Sequence, residues 1–170
     1  MPEPDATLET ARLRLRPMRA EDAGPLLAIF SDPKVMASFG GELFDPAQMD
    51  QWVARNLAHQ AEHGYGLYAV ILKASGKLIG DCGLEHMALA DGPAAELGYD
   101  FRSDHWNQGY ATEAASAVRD YALARSVPRL VSLIRVGNRA SARVAEKLGM
   151  RCLATLTRYG REYWEYGLEA

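Results

Sequence analysis

The chain has 170 residues, a formal net charge of −3, and 48% hydrophobic and 24% charged residues. These proportions are ordinary for a folded globular protein, and a chain of this length can bury a core. We therefore treat residues 1–170 as one domain with a core of about 8–168. The slight negative charge disfavours nucleic acid as a partner, because phosphate binding normally needs a basic face.

The sequence has no apolar run of about 18 residues and no basic start followed by an apolar stretch, so we expect no membrane span and no signal peptide. We expect a cytoplasmic protein that does not bind membranes. Cys82 and Cys152 lack the spacing of metal ligands. Both are expected to be reduced core residues.

Periodicity and turn residues divide the chain into strands and helices. Residues 8–17 alternate between apolar and charged side chains, which predicts a half-buried strand. Asp45 before Pro46 is typical of a helix start, and Gly64 of a helix end. In chain order the sequence predicts a strand at 8–17, a helix at 21–31, an irregular loop at 32–44, a helix at 46–63, strands at 65–72 and 78–87, a strand ending at 101, a helix at 110–126, a strand at 129–136, a helix at 141–148 and a hairpin at 152–159 and 162–168.

The strands on either side of the helix at 110–126 would be parallel neighbours, joined by a right-handed crossover. The remaining strands are joined mainly by short turns, which favours antiparallel pairing. The predicted fold is α/β (α+β), with a mixed, mostly antiparallel sheet of six to seven strands and helices on both faces.

The stretch 106–114, Trp-Asn-Gln-Gly-Tyr-Ala-Thr-Glu-Ala, reads as a polar turn that opens a helix. Apolar residues recur through this helix at the spacing of one buried face. The N–H groups at a helix start lack intrahelical partners, and the helix dipole adds positive charge there, so this is an anion site. Gly109 has no Cβ, which lets a phosphate approach the main chain.

The sequence resembles the GNAT superfamily of N-acetyltransferases in its GYATEA stretch at 109–114 after Trp106, its N-x-x-S at 138–141 and its EKLG at 146–149. Within that superfamily it is most similar to the RimJ/RimL-type ribosomal-protein N-terminal acetyltransferases. The resemblance implies the GNAT fold, in which two central parallel strands splay apart around acetyl-coenzyme A (acetyl-CoA). It also implies acetyl transfer from this cosubstrate to a primary amine, with no metal.

The resemblance places the cofactor at two stretches of the chain. Main-chain donors of 108–112 would face the pyrophosphate. Asn138 would bond an amide of the pantetheine arm, or only cap the helix that follows it, and Ser141 would lie close to the sulfur. The cofactor-binding residues predicted in this way are Trp106, Asn107, Gln108, Gly109, Tyr110, Ala111, Thr112, Asn138 and Ser141. Trp106 stands where the wider family has Gln or Arg, so it offers no basic phosphate contact.

The acceptor amine must lose a proton before it attacks, because its pKa is about 8 for an α-amine or about 10 for lysine. Glu96, on the strand before the phosphate loop, is the first candidate base, and Glu85 on the neighbouring strand is the second. Many family members carry a tyrosine acid where this chain has Ala145. The thiolate would then take its proton from Ser141, from water, or from no residue of the protein.

The acceptor is left open at this point. The resemblance suggests a protein N-terminal amine, while related chains modify small amines such as amino acids, polyamines or antibiotics. We expect direct attack in a ternary complex, because no cysteine is placed as an acyl carrier. A non-catalytic acyl-CoA-binding sensor is the rival, and the protein would be a monomer or a homodimer.

Overall fold

A computed structural model describes residues 6–168. The strands are β1 Leu8–Glu9, β2 Leu13–Pro17, β3 Leu67–Leu72, β4 Lys77–Leu89, β5 Gly92–Phe101, β6 Arg129–Arg135, β7 Arg151–Arg158 and β8 Arg161–Gly167. The helices are α1 Ala23–Phe30, α2 Pro33–Met36, α3 Pro46–His63, α4 Tyr110–Ala124 and α5 Arg139–Lys147, with short 3-10 turns at Ala20–Asp22, Ala37–Phe39 and Ser103–His105.

The strands form one eight-stranded sheet in the order β1-β2-β3-β4-β5-β6-β8-β7. Only β5 and β6 pair in parallel within the described chain. The predicted fold class is confirmed, with one strand more than expected. The additional strand arises because residues 8–17 are not continuous: Thr10 donates its N–H to the Leu13 carbonyl and accepts the Leu13 N–H on its hydroxyl, both at 3.0 Å.

Helices cover both faces of the sheet, as predicted. On one face α4 and α5 bury a core that includes Leu84, Leu97 and Val118. On the other face α1, α2 and α3 bury a second core that includes Ile29 and Met49. The central strands of the sheet are therefore packed from both sides.

Some local predictions are confirmed and others are wrong. Asp45 caps α3 by accepting the Gln48 N–H at 2.8 Å, and Gly64 ends the helix with a φ of 72°. The loop expected at 32–44 instead contains α2, because Asp32 caps it ahead of Pro33. Cys82 is buried and reduced as predicted, but Cys152 is exposed on β7, the outermost strand.

The parallel pair ends early. β5 and β6 pair only at Ala94–Arg129, Ala95–Leu130 and Glu96–Val131. Beyond these positions β5 stays paired with β4, and β6 stays paired with β8. The two central strands therefore part after Glu96 and open a wedge in the middle of the sheet.

A pair of glycines on β4 and β5 lets the chain pack closely beside this wedge. Gly83 and Gly98 face each other across the two strands. A Cβ on Gly83 would lie 2.2 Å from the Gly66 carbonyl oxygen, whereas a Cβ on Gly98 would meet only Glu96 Oε2, at 3.4 Å.

We expect Gly83→Ala to destabilise the protein by about 1–3 kcal/mol, because the methyl group forces β3 away from β4. Thermal unfolding measures this as a lower Tm, by about 2–4 °C for each kcal/mol. Gly98→Ala is the matched control on the facing strand and should leave Tm nearly unchanged. Equal losses in the two variants would contradict the assigned contact.

Candidate active site

The wedge opens into a cleft of about 880 Å³ lined by β4, β5, β6, the start of α4 and parts of α1, α2, α3 and α5. Most of the residues predicted for the site line this one cleft: Glu85, Glu96, Trp106, Asn107, Gly109, Tyr110, Ala111, Thr112, Asn138 and Ser141. Gln108 is the exception among them. Its side chain is exposed outside the lining, and its carbonyl accepts a hydrogen bond from Arg12.

The start of α4 is shaped to receive an anion. Gly109 caps the helix with a φ of 82°, and Asn107 before it also has a positive φ, of 60°. Within residues 6–168, the main-chain N–H groups of 107–112 have no recorded acceptor. These free donors and the helix dipole fit a phosphate group, so the residues present match the cofactor that the sequence implied.

Sequence reasoning missed a clamp that holds this helix start. Glu113 accepts hydrogen bonds from the Thr10 hydroxyl at 2.6 Å, from the Arg12 N–H at 2.8 Å and from Arg12 Nε at 2.7 Å. Arg12 Nη1 also donates to the Gln108 carbonyl at 2.9 Å. Desolvation raises the pKa of Glu113, but these bonds outweigh it and hold that pKa below its usual value.

The clamp also places a cation beside the anion site. The Arg12 guanidinium lies 4.3 Å from the centre of the Tyr110 ring and 3.3 Å from the position of a Cβ on Gly109. The alternation of residues 8–17 indicated only that Arg12 faces away from the core. No local signal connects it with a loop more than ninety residues further along the chain.

The start of α5 forms the opposite rim. Asn138 Oδ1 accepts the Ser141 N–H at 3.2 Å and so caps the helix, while its Nδ2 donates to the Ser38 hydroxyl at 3.3 Å. The Tyr99 hydroxyl donates to the Ser141 carbonyl at 2.7 Å and ties β5 to α5. Ala145 lies in the core and not in the cleft lining, so the position of the family's tyrosine faces away from the site.

Side chains satisfy the main-chain groups that the parting strands leave unpaired. The Ser132 hydroxyl donates to the Leu97 carbonyl at 2.8 Å, and Glu96 Oε1 accepts the Leu133 N–H at 3.2 Å. Glu96 therefore sits at the apex of the wedge. Burial and the charge of Glu85 raise the pKa of Glu96 to about 8, against the lowering effect of the Leu133 hydrogen bond.

Further carboxyl groups share the wall of the cleft with Glu96. Asp81 and Asp100 face each other across β4 and β5, and both line the cleft. Burial raises the pKa of Asp81 well above its usual value, and the charge of Asp100 adds to this effect. Burial likewise raises the pKa values of Asp100 and Glu85.

A mixed sheet whose parallel strands part beside a helix start with free N–H donors defines an acyl-CoA-dependent acyltransferase. The acetyltransferase (GNAT) domain family matches residues 12–151, and the chain belongs to this family. It is therefore an N-acetyltransferase that takes its acetyl group from acetyl-CoA.

In the described residues, no group of three or more His, Cys, Asp or Glu side chains is placed to hold a metal ion. No helix between residues 6 and 168 is long and apolar enough to cross a bilayer.

The chain is similar to known proteins in sequence and to solved structures in fold. The chain is 37% identical over 156 residues to the uncharacterized protein YkkB of Bacillus subtilis, covering 91% of this chain and 90% of YkkB. An acetyltransferase from Agrobacterium tumefaciens is 31% identical, with a TM-score of 0.80 and coverage of 95% and 94%. A ribosomal-protein acetyltransferase, RimL, solved with coenzyme A, is 16% identical, with a TM-score of 0.78 and coverage of 95% and 96%.

We expect Arg12→Ala to weaken acetyl-CoA binding about tenfold, because it removes both a cation beside the anion site and an anchor of the loop. The shift of Tm with acetyl-CoA concentration measures this. Arg14→Ala, which removes an exposed arginine two residues further along the chain on β2, is the control and should bind normally. Normal binding by Arg12→Ala would leave the clamp with no role in holding the cofactor.

The raised pKa of Asp100 predicts how stability depends on pH. In the unfolded chain this group ionises at about pH 3.9, whereas in the folded protein it keeps its proton to higher pH. Between these values the folded state binds more protons, so its contribution to stability is lost as pH rises. Asp100→Asn has no proton to lose, so the stability that the wild type loses at high pH is kept. The amide of the new side chain can also donate a hydrogen bond to Asp81.

Thermal unfolding without ligand should therefore show a gain in Tm for Asp100→Asn that is larger at about pH 8.5 than at about pH 5, by at least about 3 °C. The difference between variant and wild type cancels the titration of groups that do not interact with Asp100, whereas Asp81 titrates together with Asp100 and contributes to the same trend. Asp50→Asn, at an exposed position on α3, should show no such trend. A gain that is independent of pH would contradict the raised pKa of Asp100.

Proposed function

We propose that this acetyltransferase acetylates a primary amine by direct attack in a ternary complex, with Glu96 as the general base. The observation that carries the proposal is the position of Glu96 at the apex of the wedge. One of its oxygens is held by the Leu133 N–H, and the other lies over Gly98 on the wall of the cleft. A carboxylate with a pKa of about 8 can accept a proton from an alkyl ammonium near neutral pH.

The residues divide the work as follows. The N–H groups at the start of α4, with Arg12 beside them, would hold the pyrophosphate of acetyl-CoA. Glu96 takes the proton from the bound amine, either directly or through a water molecule. The amine nitrogen then bonds to the acetyl carbon as the carbon–sulfur bond breaks. The nitrogen gives up its second proton, which reaches the departing thiolate through Ser141 or water, and Glu96 returns its own proton to solvent. A thiolate leaves readily, since its pKa is about 8.5.

The positions of the cysteines support direct transfer. Cys82 is fully buried in the core beneath α4, where burial raises the pKa of its thiol well above the usual value. Cys152 is exposed on β7 at the far edge of the sheet. Neither residue lines the cleft, so neither is placed to carry an acetyl group.

Two acceptor classes fit this chemistry. The fold shared with RimL supports a protein N-terminal amine, and the carboxylates on the wall of the cleft support a cationic small amine. Against a purely binding role, the candidate base and the anion site lie on one cleft. The proposal therefore takes a primary amine in general as the acceptor class.

We expect Glu96→Gln to lower kcat by a factor of about 10² to 10⁴, because the amide cannot accept the proton. Release of the CoA thiol against a panel of amines and peptides measures the rate. Stabilisation by acetyl-CoA should stay as in the wild type, at roughly 2.7 kcal/mol when the ligand is at 100 times its Kd. Glu21→Gln, at an exposed position, is the control.

The pH profile separates Glu96 from its neighbour. In the wild type kcat/KM should rise with pH through about 8, as Glu96 loses its proton. In Glu96→Gln, kcat/KM should rise with pH only as the acceptor amine itself loses its proton. An unchanged profile in Glu96→Gln would remove Glu96 as the base and leave Glu85. Stabilisation of the wild type with no release on any amine would favour the acyl-CoA sensor.

A further inference from the structure

The wall of the cleft carries carboxylates in two cross-strand pairs. Glu85 faces Glu96, and Asp81 faces Asp100, with the Gly83–Gly98 pair between them. Residues two apart on a strand point to the same face, so all four carboxylates share the face that lines the cleft. Directly opposed residues have their Cβ atoms about 5 Å apart, and the two pairs are separated by roughly 13 Å along the strands.

No side chain of the described residues neutralises these carboxylates. None of the ion pairs recorded there involves any of the four. The charge of Arg55 partly offsets the raised pKa of Glu85, and the charge of Arg158 partly offsets that of Glu96. Neither arginine forms an ion pair with these carboxylates. Such an arrangement is costly, because like charges directly opposite each other in a sheet destabilise it.

The lack of a hydrogen-bond donor at Asp81 is a second observation, apart from the carboxylate pairs, that points to a ligand. Its side chain is 1% exposed, and no N–H or hydroxyl donor between residues 6 and 168 reaches either of its oxygens. Buried polar groups are almost always hydrogen-bonded, so an unpartnered carboxylate in the wall of a cleft indicates a missing donor. In the free protein, a proton shared with Asp100 can take that place, and the raised pKa values of both groups agree with this.

Aromatic residues in the same cleft indicate what kind of cation would fit. Phe30, Phe39, Phe44 and Trp52 line the cleft together with the carboxylates, and Phe39 is 48% exposed. Aromatic faces attract an ammonium group and cover the methylene chain that carries it. An organic cation with an apolar body therefore fits better than a metal ion, for which no group of three or more acidic, histidine or cysteine ligands is placed in the described chain.

We infer that the acceptor is an amine with a second positive charge, which lies between Asp81 and Asp100 while the reacting nitrogen lies at Glu96. The inference rests on the proposed acetyl transfer, since it describes the acceptor of that same site. Two sources share this chemistry: a linear polyamine, and a peptide whose free N-terminus is followed by a basic residue. In either case the separation of the charges has to span most of the distance between the two carboxylate pairs.

The first test measures thiol release with linear diaminoalkanes from putrescine to diaminodecane, each compared with the n-alkylamine of the same carbon number. We expect the diamine to exceed its monoamine in kcat/KM by at least about tenfold once the chain spans the two pairs. The peptide arm compares two peptides with the same free N-terminus, one carrying arginine and the other its neutral analogue citrulline. The arm with the larger advantage identifies the source, and no advantage in either arm overturns the inference.

The second test changes the protein. In Asp81→Asn and Asp100→Asn the ratio of kcat/KM for dication over monocation should fall about tenfold, because each loses one charge that holds the second cation. Asp50→Asn removes an equal charge from the exposed face of α3 and should keep the ratio of the wild type. A ratio that Asp81→Asn and Asp100→Asn both leave unchanged contradicts the assigned position.

A binding measurement keeps this inference separate from the proposed function. With coenzyme A bound in place of the acetyl donor no transfer occurs, and the Tm gained from a long diamine over its monoamine reports recognition alone. That gain should be present in the wild type and lost in Asp81→Asn. If it is present while no amine releases thiol, the proposed reaction fails and the dication site stands. If amines release thiol but the long diamine gives no larger Tm gain than its monoamine, the proposed reaction stands and the dication site fails.

Discussion

The early end of the β5–β6 ladder is the constraint on which the site depends. Main-chain groups in the middle of a sheet cannot be left unpaired without cost, yet these two strands pair at only three positions. Ser132 and Glu96 make the separation possible, because each supplies a side-chain partner to the main chain of the opposite strand. The same hydrogen bond that repairs the sheet fixes the candidate base at the apex of the wedge.

The anion site needs an equally firm support, because a loop with free N–H groups could otherwise fold back and satisfy them itself. The support comes from the other end of the chain. The turn between β1 and β2 holds Glu113 and the Gln108 carbonyl through Thr10 and Arg12, and so fixes the loop from outside. Thr10 and Arg12 would thus help to position the cofactor from outside the cleft, since neither residue lines its wall.

Local patterns predicted most of the fold, and the misses at Thr10, Cys152 and Arg12 share one cause. The cap at Asp45 and the buried face of α4 each follow from residues close together in sequence, and the parallel strand pair follows from the order strand, helix, strand along the chain. The break at Thr10 and the exposure of Cys152 depend on which strands lie at the edges of the sheet, which no local pattern states. The clamp by Arg12 depends on a contact between distant segments.

The two carboxylate pairs could have been predicted from the sequence. Had β4 and β5 been aligned about the turn at Ala90–Asp91, Glu85 would have been placed opposite Glu96, and Asp81 opposite Asp100. The alternation of residues then puts all four on one face. The prediction ended the first of these strands at residue 87 and gave no start for the second, which concealed this register. Composition hides it as well, because a net charge of −3 gives no indication that so much negative charge is concentrated in one wall.

Recognition and catalysis would be coupled through these same charges. Burial and neighbouring negative charge are what raise the pKa of Glu96, so the base is largely protonated in the free protein near neutral pH. A second cation held by Asp81 and Asp100 would lower that pKa and free the carboxylate to accept a proton. A monocation has no second charge to place at Asp81 and Asp100, so it would leave the pKa of Glu96 raised. An acceptor with the right second charge would therefore prepare the base as it binds, and its advantage would appear in kcat as well as in KM.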